Sequence, residues 1–143
     1  MTVTYAGFWK RFAAVFIDGI IITIGVGVIA FVWGFFMLAG GVIENDPDVL
    51  RRVGNGLGFI LHWIYCAVME SSPKQATLGK MALGIKVVDL ESNRISFAKA
   101  TGRHFGKFIS FLILFIGFIM VAFTKKKQGL HDMMAGCLVI DQM

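Results

Sequence analysis

Three stretches of the chain carry almost no charge, and the polar residues fall between them. From Phe12 to Ile43 the run FAAVFIDGIIITIGVGVIAFVWGFFMLAGGVI contains one ionisable group, Asp18. About twenty apolar residues cross the hydrocarbon of a bilayer, so the pattern predicts a first transmembrane helix over 12–39. It is long enough to tilt or to begin in the interface, and Tyr5, Phe8 and Trp9 just before it suit headgroup depth. The segment 40–53, with Gly40, Gly41 and Pro47, reads as a short polar loop. A second, shorter span follows over 54–69 and stops at Glu70, Ser71, Ser72 and Pro73. The third membrane segment is expected over 106–123, between Arg103 and the lysines 125, 126 and 127.

The polar stretch between the second and third runs changes period. Thr77 to Leu83 predicts one or two helical turns at the membrane surface. Ile85 and Val87, then Ile95 and Phe97, alternate around Glu91, Ser92 and Asn93, which predicts a β-hairpin. GCLVID at 136–141 is a candidate third strand. Such strands must lie outside the hydrocarbon, because lipid does not tolerate an open sheet edge. If the third run crosses the membrane, Lys125, Lys126 and Lys127 end outside, against the positive-inside bias. A re-entrant hairpin bending near Gly117 keeps them inside, whereas the length of the run suits a single crossing, so both shapes stay open here. The fold expected is an all-α membrane protein in one domain over 1–143. It has two transmembrane helices, a third membrane segment that re-enters or spans, and a small cytoplasmic β-hairpin or three-strand element.

Composition agrees. The chain has 143 residues, 57% hydrophobic and 16% charged, against about 25% charged in ordinary soluble domains. The net charge of +5 flanks the apolar runs, which marks an inner-leaflet surface and not a nucleic-acid footprint. The lipid bilayer is therefore the expected partner, no nucleic acid is expected, and the N-terminus is expected in the cytoplasm of a bacterial inner membrane. The first run is about twice the 7–15 residues of a cleavable signal core, so an uncleaved anchor is expected. Cys66 and Cys137 lack a CxxC spacing and read as two buried thiols.

Candidate chemistry centres on Asp18, because a carboxylate at membrane depth costs at least roughly 2.5–3.5 kcal/mol and needs a partner. Arg11 lies seven residues earlier on nearly the same face, about 10 Å away along the axis. Each should therefore meet a different group. Arg11 can pair with Asp132 or Glu70. Asp18 can meet His62, at comparable depth in the second span, and a His–Asp pair there can exchange a proton near neutral pH. The competing view is a fixed network of Arg11, Asp18 and Asp132 that holds the helices to their cytoplasmic cap. The TLGK run fails the GxxxxGK[ST] pattern, since Lys74 stands where the first Gly belongs and Met81 follows Lys80. Thr77, Lys80 and Lys86 are candidate contacts to anionic lipid, against a plain solvated basic face. His104, His131 and Asp132 lack a metal-ligand spacing. No catalytic constellation stands out, so no cofactor, no metal and no enzyme activity are expected.

Arg11 with Asp18, then QATLGKMALGIKVVD, then QGLHDMMAGCLVI resembles the RDD family of small integral membrane proteins. The resemblance covers nearly the whole chain. It implies that Arg11, Asp18 and Asp132 are the arginine and two aspartates for which the family is named. The TLGK segment and Arg103 also match its pattern. Family members often carry a proline in the last apolar segment where this chain has Gly117, and Gly or His is usual where His131 stands. The resemblance implies a multi-pass membrane protein, for which transport has been proposed. The expected function is transport of ions or small solutes through Asp18, with Arg11 and Asp132 as gating or scaffold groups and His62, Glu70 and Arg103 as candidate partners. The alternative is a non-transporting adaptor that binds a partner protein or anionic lipid. Three membrane segments are few for a complete pathway, so transport would call for a homo-oligomer.

Overall fold

A computed structural model of the chain describes residues 4–40, 48–113 and 116–142. The first apolar run forms helix α1, Phe8–Ala39, which starts four residues before the predicted 12 and takes in Phe8 and Trp9 but not Tyr5. Among the described residues it is the one helix long and apolar enough to cross a bilayer, and 6% of its most apolar window is buried. Phe12, Phe16, Ile24, Phe31 and Phe35 all face outward. A soluble protein would not leave so long an apolar surface uncovered. Helix α2, Val49–Ser71, extends the predicted second span at both ends and already includes Arg51 and Arg52. Gly41, Glu44, Asp46 and Pro47 of the predicted loop lie outside the described residues.

The TLGK segment opens the five-residue helix α3, Leu78–Ala82, as its pattern predicts. Gly84, at φ +63, turns the chain into strand β1, Ile85–Asp89. The predicted hairpin does not form. Asp89 Oδ1 accepts from the backbone N–H groups of Glu91 and Asn93 at 2.9 and 2.8 Å, which closes a local turn. Ser96 Oγ then accepts from Lys99 N at 3.2 Å and caps helix α4, Phe97–Leu112. Ile95 and Phe97, read as strand positions, are therefore a buried anchor and the first helical residue. A serine cap supplied by the sequence outweighed two matches to a period of two.

The apolar run that follows is not one continuous helix. Helix α4 ends at Leu112 and helix α5, Ile116–Phe123, packs back against it and against α1. Residues 114–115 lie outside the described residues, and Gly117 falls inside α5, not at the bend. Arg11 Nη2 donates to the Lys127 carbonyl at 2.5 Å, so the lysine triplet sits at the N-terminal end of α1. Helix α6, Leu130–Met134, and strand β2, Cys137–Asp141, complete the chain.

Strands β1 and β2 pair antiparallel, from Ile85 opposite Asp141 to Asp89 opposite Cys137. On the other edge of β2, Ala6 N donates to Val139 O and Asp141 N to Thr4 O, both at 2.9 Å, and Tyr5 forms an isolated bridge with Ile140. The candidate strand at 136–141 is thus present as β2, and the N-terminal bridge on its other edge was not anticipated. Ile85, Val87, Cys137 and Val139 bury one face against Ala6, Ala67, Ile95 and Ala100. The sheet fixes the entry of α1 and the exit of α6, and the charged residues meet between them. Cys66 and Cys137 are buried free thiols, as expected.

Candidate functional site

Two polar constellations occupy this junction, and they are built on different principles. The first surrounds Asp18 of α1, which is 6% exposed. Its Oδ1 accepts from Tyr65 Oη and from Gly79 N, each at 2.8 Å, and its Oδ2 from Thr77 Oγ1 at 2.6 Å. Tyr65 Oη also accepts from Leu78 N at 2.9 Å. The first N–H groups of a helix lack partners within it. Those of Leu78 and Gly79 find theirs in a hydroxyl on α2 and a carboxylate on α1, so α3 is capped by its neighbours. Thr77, at the N-cap position, makes no side-chain cap and spends its hydroxyl on Asp18. Gly79 is required by space. A Cβ there would lie 2.2 Å from the Ala14 carbonyl oxygen and 3.0 Å from Asp18 Cγ.

The second constellation is a chain of buried charges. Lys80 pairs with Glu70, and Arg103 Nη1 donates to the other Glu70 oxygen at 2.9 Å. Arg103 Nε donates to Asp132 Oδ1 at 2.6 Å, and Asp132 Oδ2 pairs with Arg11. Arg11 Nε donates in addition to Ala6 O at 3.0 Å. Asp132 is wholly buried and also accepts from Gly129 N at 3.2 Å, capping its own helix. The chain thus ties α1, α2, α3, α4 and α6 into one end of the molecule.

Burial pushes both carboxyls up, but the cations outweigh it. Arg103 and Lys80 hold Glu70 below the ordinary carboxylate range. Arg103 and Arg11 do the same for Asp132. Burial pulls the Lys80 ammonium down to about 8 against the attraction of Glu70. Burial also pulls His131, beside Asp132 and Ser110, down to about 3. It is therefore neutral at physiological pH. Carboxyls depressed in the folded state contribute stability that is present above their unfolded value of about 4 and is lost as pH falls through the folded value. The junction should therefore survive at pH 3. Amide hydrogen exchange around Ala100–His104 and Leu130–Met134 checks this, and loss of protection already between pH 5 and 4 would contradict it.

The expected pairing of Arg11 with Asp132 is present, and Glu70 and Arg103 join the same chain. Asp18 does not hydrogen-bond to His62. His62 lies on an exposed face of α2, its ring 5.3 Å from that of His104 at 85°. Thr77 and Lys80 are buried on Asp18 and Glu70, so neither is a surface contact for anionic lipid. A lysine that completes a buried pair cannot also reach headgroups. Lys86 stands half-buried on β1, opposite Ile140, outside both constellations. Tyr65 was not anticipated. The signal lay in its being the sole hydroxyl-bearing residue of the 54–69 run.

The profile of the RDD family matches residues 5–136. The chain belongs to the RDD family. It is 37% identical to the YxaI protein of Bacillus subtilis (strain 168), over 94% of this chain and 96% of that protein. It is 30% identical to a membrane protein of the same organism, YteJ, over 99% of this chain and 84% of that one. A Rickettsia prowazekii (strain Madrid E) protein, RP437, is 36% identical over 57% of this chain and 41% of its own length. No solved structure matches. Family membership and the membrane-protein relative make this RDD chain a membrane protein. Its Arg11 and Asp132 meet directly, whereas Asp18 belongs to a separate, neutral-donor setting.

Proposed function

We propose that the protein translocates a small cation or a proton, with Asp18 as the coupling carboxylate. One contrast carries the reading. Glu70 and Asp132 are each matched by two cationic side chains, while among the described residues only neutral donors reach Asp18. Among the described residues no lysine or arginine lies within ion-pair distance of it. A negative charge held by hydroxyls and one amide in a bilayer attracts a positive ion, and hard cations favour oxygen ligands such as Tyr65 Oη, Thr77 Oγ1 and the carboxylate itself. In this reading α1 and α2 cross the membrane, α4 and α5 re-enter it, and the charged junction faces the cytoplasm with Lys10 and the lysine triplet. More than one copy completes the pathway.

Asp18→Asn keeps an acceptor for Gly79 and Tyr65 but removes the charge. In proteoliposomes it should abolish ion- or proton-coupled flux while the protein still inserts and elutes as wild type. Unchanged flux would remove Asp18 from transport. The closed charge chain favours a second reading, a rigid adaptor with no flux at all, for which a stable co-purifying membrane partner is the expected finding.

A further inference from the structure

Among the described residues Lys107 is a cation without an anion. It lies half-buried on α4, one turn beyond Arg103 and His104. His104, three residues earlier on the same helix, meets the His62 ring of α2 at 5.3 Å where α2 and α4 pack together, so Lys107 borders the seam between them. The acids in reach are already committed. Glu70 is taken by Lys80 and Arg103, Asp132 by Arg103 and Arg11, and Asp18 by its three neutral donors. Arg11, Lys80, Arg103 and Lys107 thus stand against Asp18, Glu70 and Asp132, four charges to three, and Lys107 is the one left over. Among the described residues no carboxylate lies within ion-pair distance of its ammonium. Beside it, His104 is 5% exposed and its Nδ1 is buried with no hydrogen-bond partner among the described residues. His62, edge-on to His104, is open at the surface of α2 and hydrogen-bonds to nothing among the described residues.

We infer that Lys107, His104 and His62 form a binding site for a phosphate-type oxyanion, entered from the exposed side of His62. An ammonium and two imidazoles are donors suited to an anion, and a buried imidazole nitrogen left without a partner calls for an explanation of this kind. The site is distinct from the Asp18 constellation and does not depend on transport. Two sources share this chemistry, the headgroup of an anionic phospholipid and free inorganic phosphate.

Native mass spectrometry of the detergent-purified protein, titrated with phosphatidylglycerol or with phosphatidylcholine, is one arm. Perturbation of the His62 and His104 imidazole resonances by inorganic phosphate is the other. Phosphatidylglycerol retained in preference to phosphatidylcholine, with no response to phosphate, identifies the lipid headgroup. Imidazole shifts that saturate with phosphate alone identify the free anion. Lys107→Gln should weaken the responding arm by at least about tenfold, the scale of one charge-assisted hydrogen bond, and Lys107→Arg should restore it. Lys126→Gln, at an exposed lysine of the triplet, should change it less than twofold. The imidazole measurement on wild type stands even where a variant fails to fold. No lipid preference together with unmoved imidazole resonances would overturn the site, as would equal losses for Lys107→Gln and Lys126→Gln.

Discussion

Gly79→Ala is expected to unseat α3 from α1 and to cost roughly 3–5 kcal/mol, the sum of an overpacked contact and the hydrogen bonds it breaks. The added Cβ would lie 2.2 Å from the Ala14 carbonyl oxygen. That neighbour is backbone in the middle of a helix, so no side-chain rotation relieves the clash. As α3 moves off, Asp18 loses Gly79 N and Thr77 Oγ1 together and retains Tyr65 alone. Two of three donors leave a buried carboxylate at once. Gly102→Ala is the control, because a Cβ on that α4 residue meets nothing within 4 Å, and alanine is favoured over glycine in a helix by about 1 kcal/mol. Thermal unfolding in detergent should show a large fall for the first variant and none for the second. Equal melting temperatures would mean that α3 does not rest on α1 as described.

The features that the sequence announced are those whose cause is local. The charge-free run around Asp18, the cap-like TLGK turn and the cationic ends of the apolar runs can each be read from a few adjacent residues. Arg11 with Asp132 was within reach because both are rare charges beside membrane segments and must be matched. Partner choice at Asp18 was not. His62 and Tyr65 lie three positions apart on α2, nearly one helical turn, and only the packing angle of α2 on α1 turns one of them inward. The β-hairpin reading failed for a related reason. Ile95 and Phe97 satisfy a strand period, but the Asp89 turn and the Ser96 cap commit the chain to a helix first, and the partner of β1 comes from about fifty residues further on. Lys80 shows the same limit. A lysine in a polar stretch looks like surface, and nothing adjacent to it says that Glu70, ten residues earlier, will meet it in the interior.

Asp132→Asn is expected to be the most damaging change of a single atom type in the charge chain. The asparagine retains an oxygen that can cap Gly129 N, so shape and local helix geometry are kept. What goes is the negative charge between Arg11 and Arg103. Both guanidiniums stay protonated at any accessible pH, and three cations then face Glu70 alone. Breaking a buried ion pair on one side costs about 3–5 kcal/mol, because the remaining charge is left in a dry setting without compensation. Asp141→Asn provides the scale. It also loses a carboxylate, paired with Lys10 at 2.6 Å, but those side chains are 52% and 20% exposed for Lys10 and Asp141 respectively, where a pair is worth about 0–1 kcal/mol. The two variants therefore remove the same charge from a fully buried site and from a pair whose cation stands in solvent. Melting temperature should fall steeply for the buried site and barely for the surface one, and protection of α6 amides should be lost only in the former. Comparable losses at both positions would show that water reaches Asp132, and the account of a dry junction holding α1 to α4 and α6 would have to be abandoned.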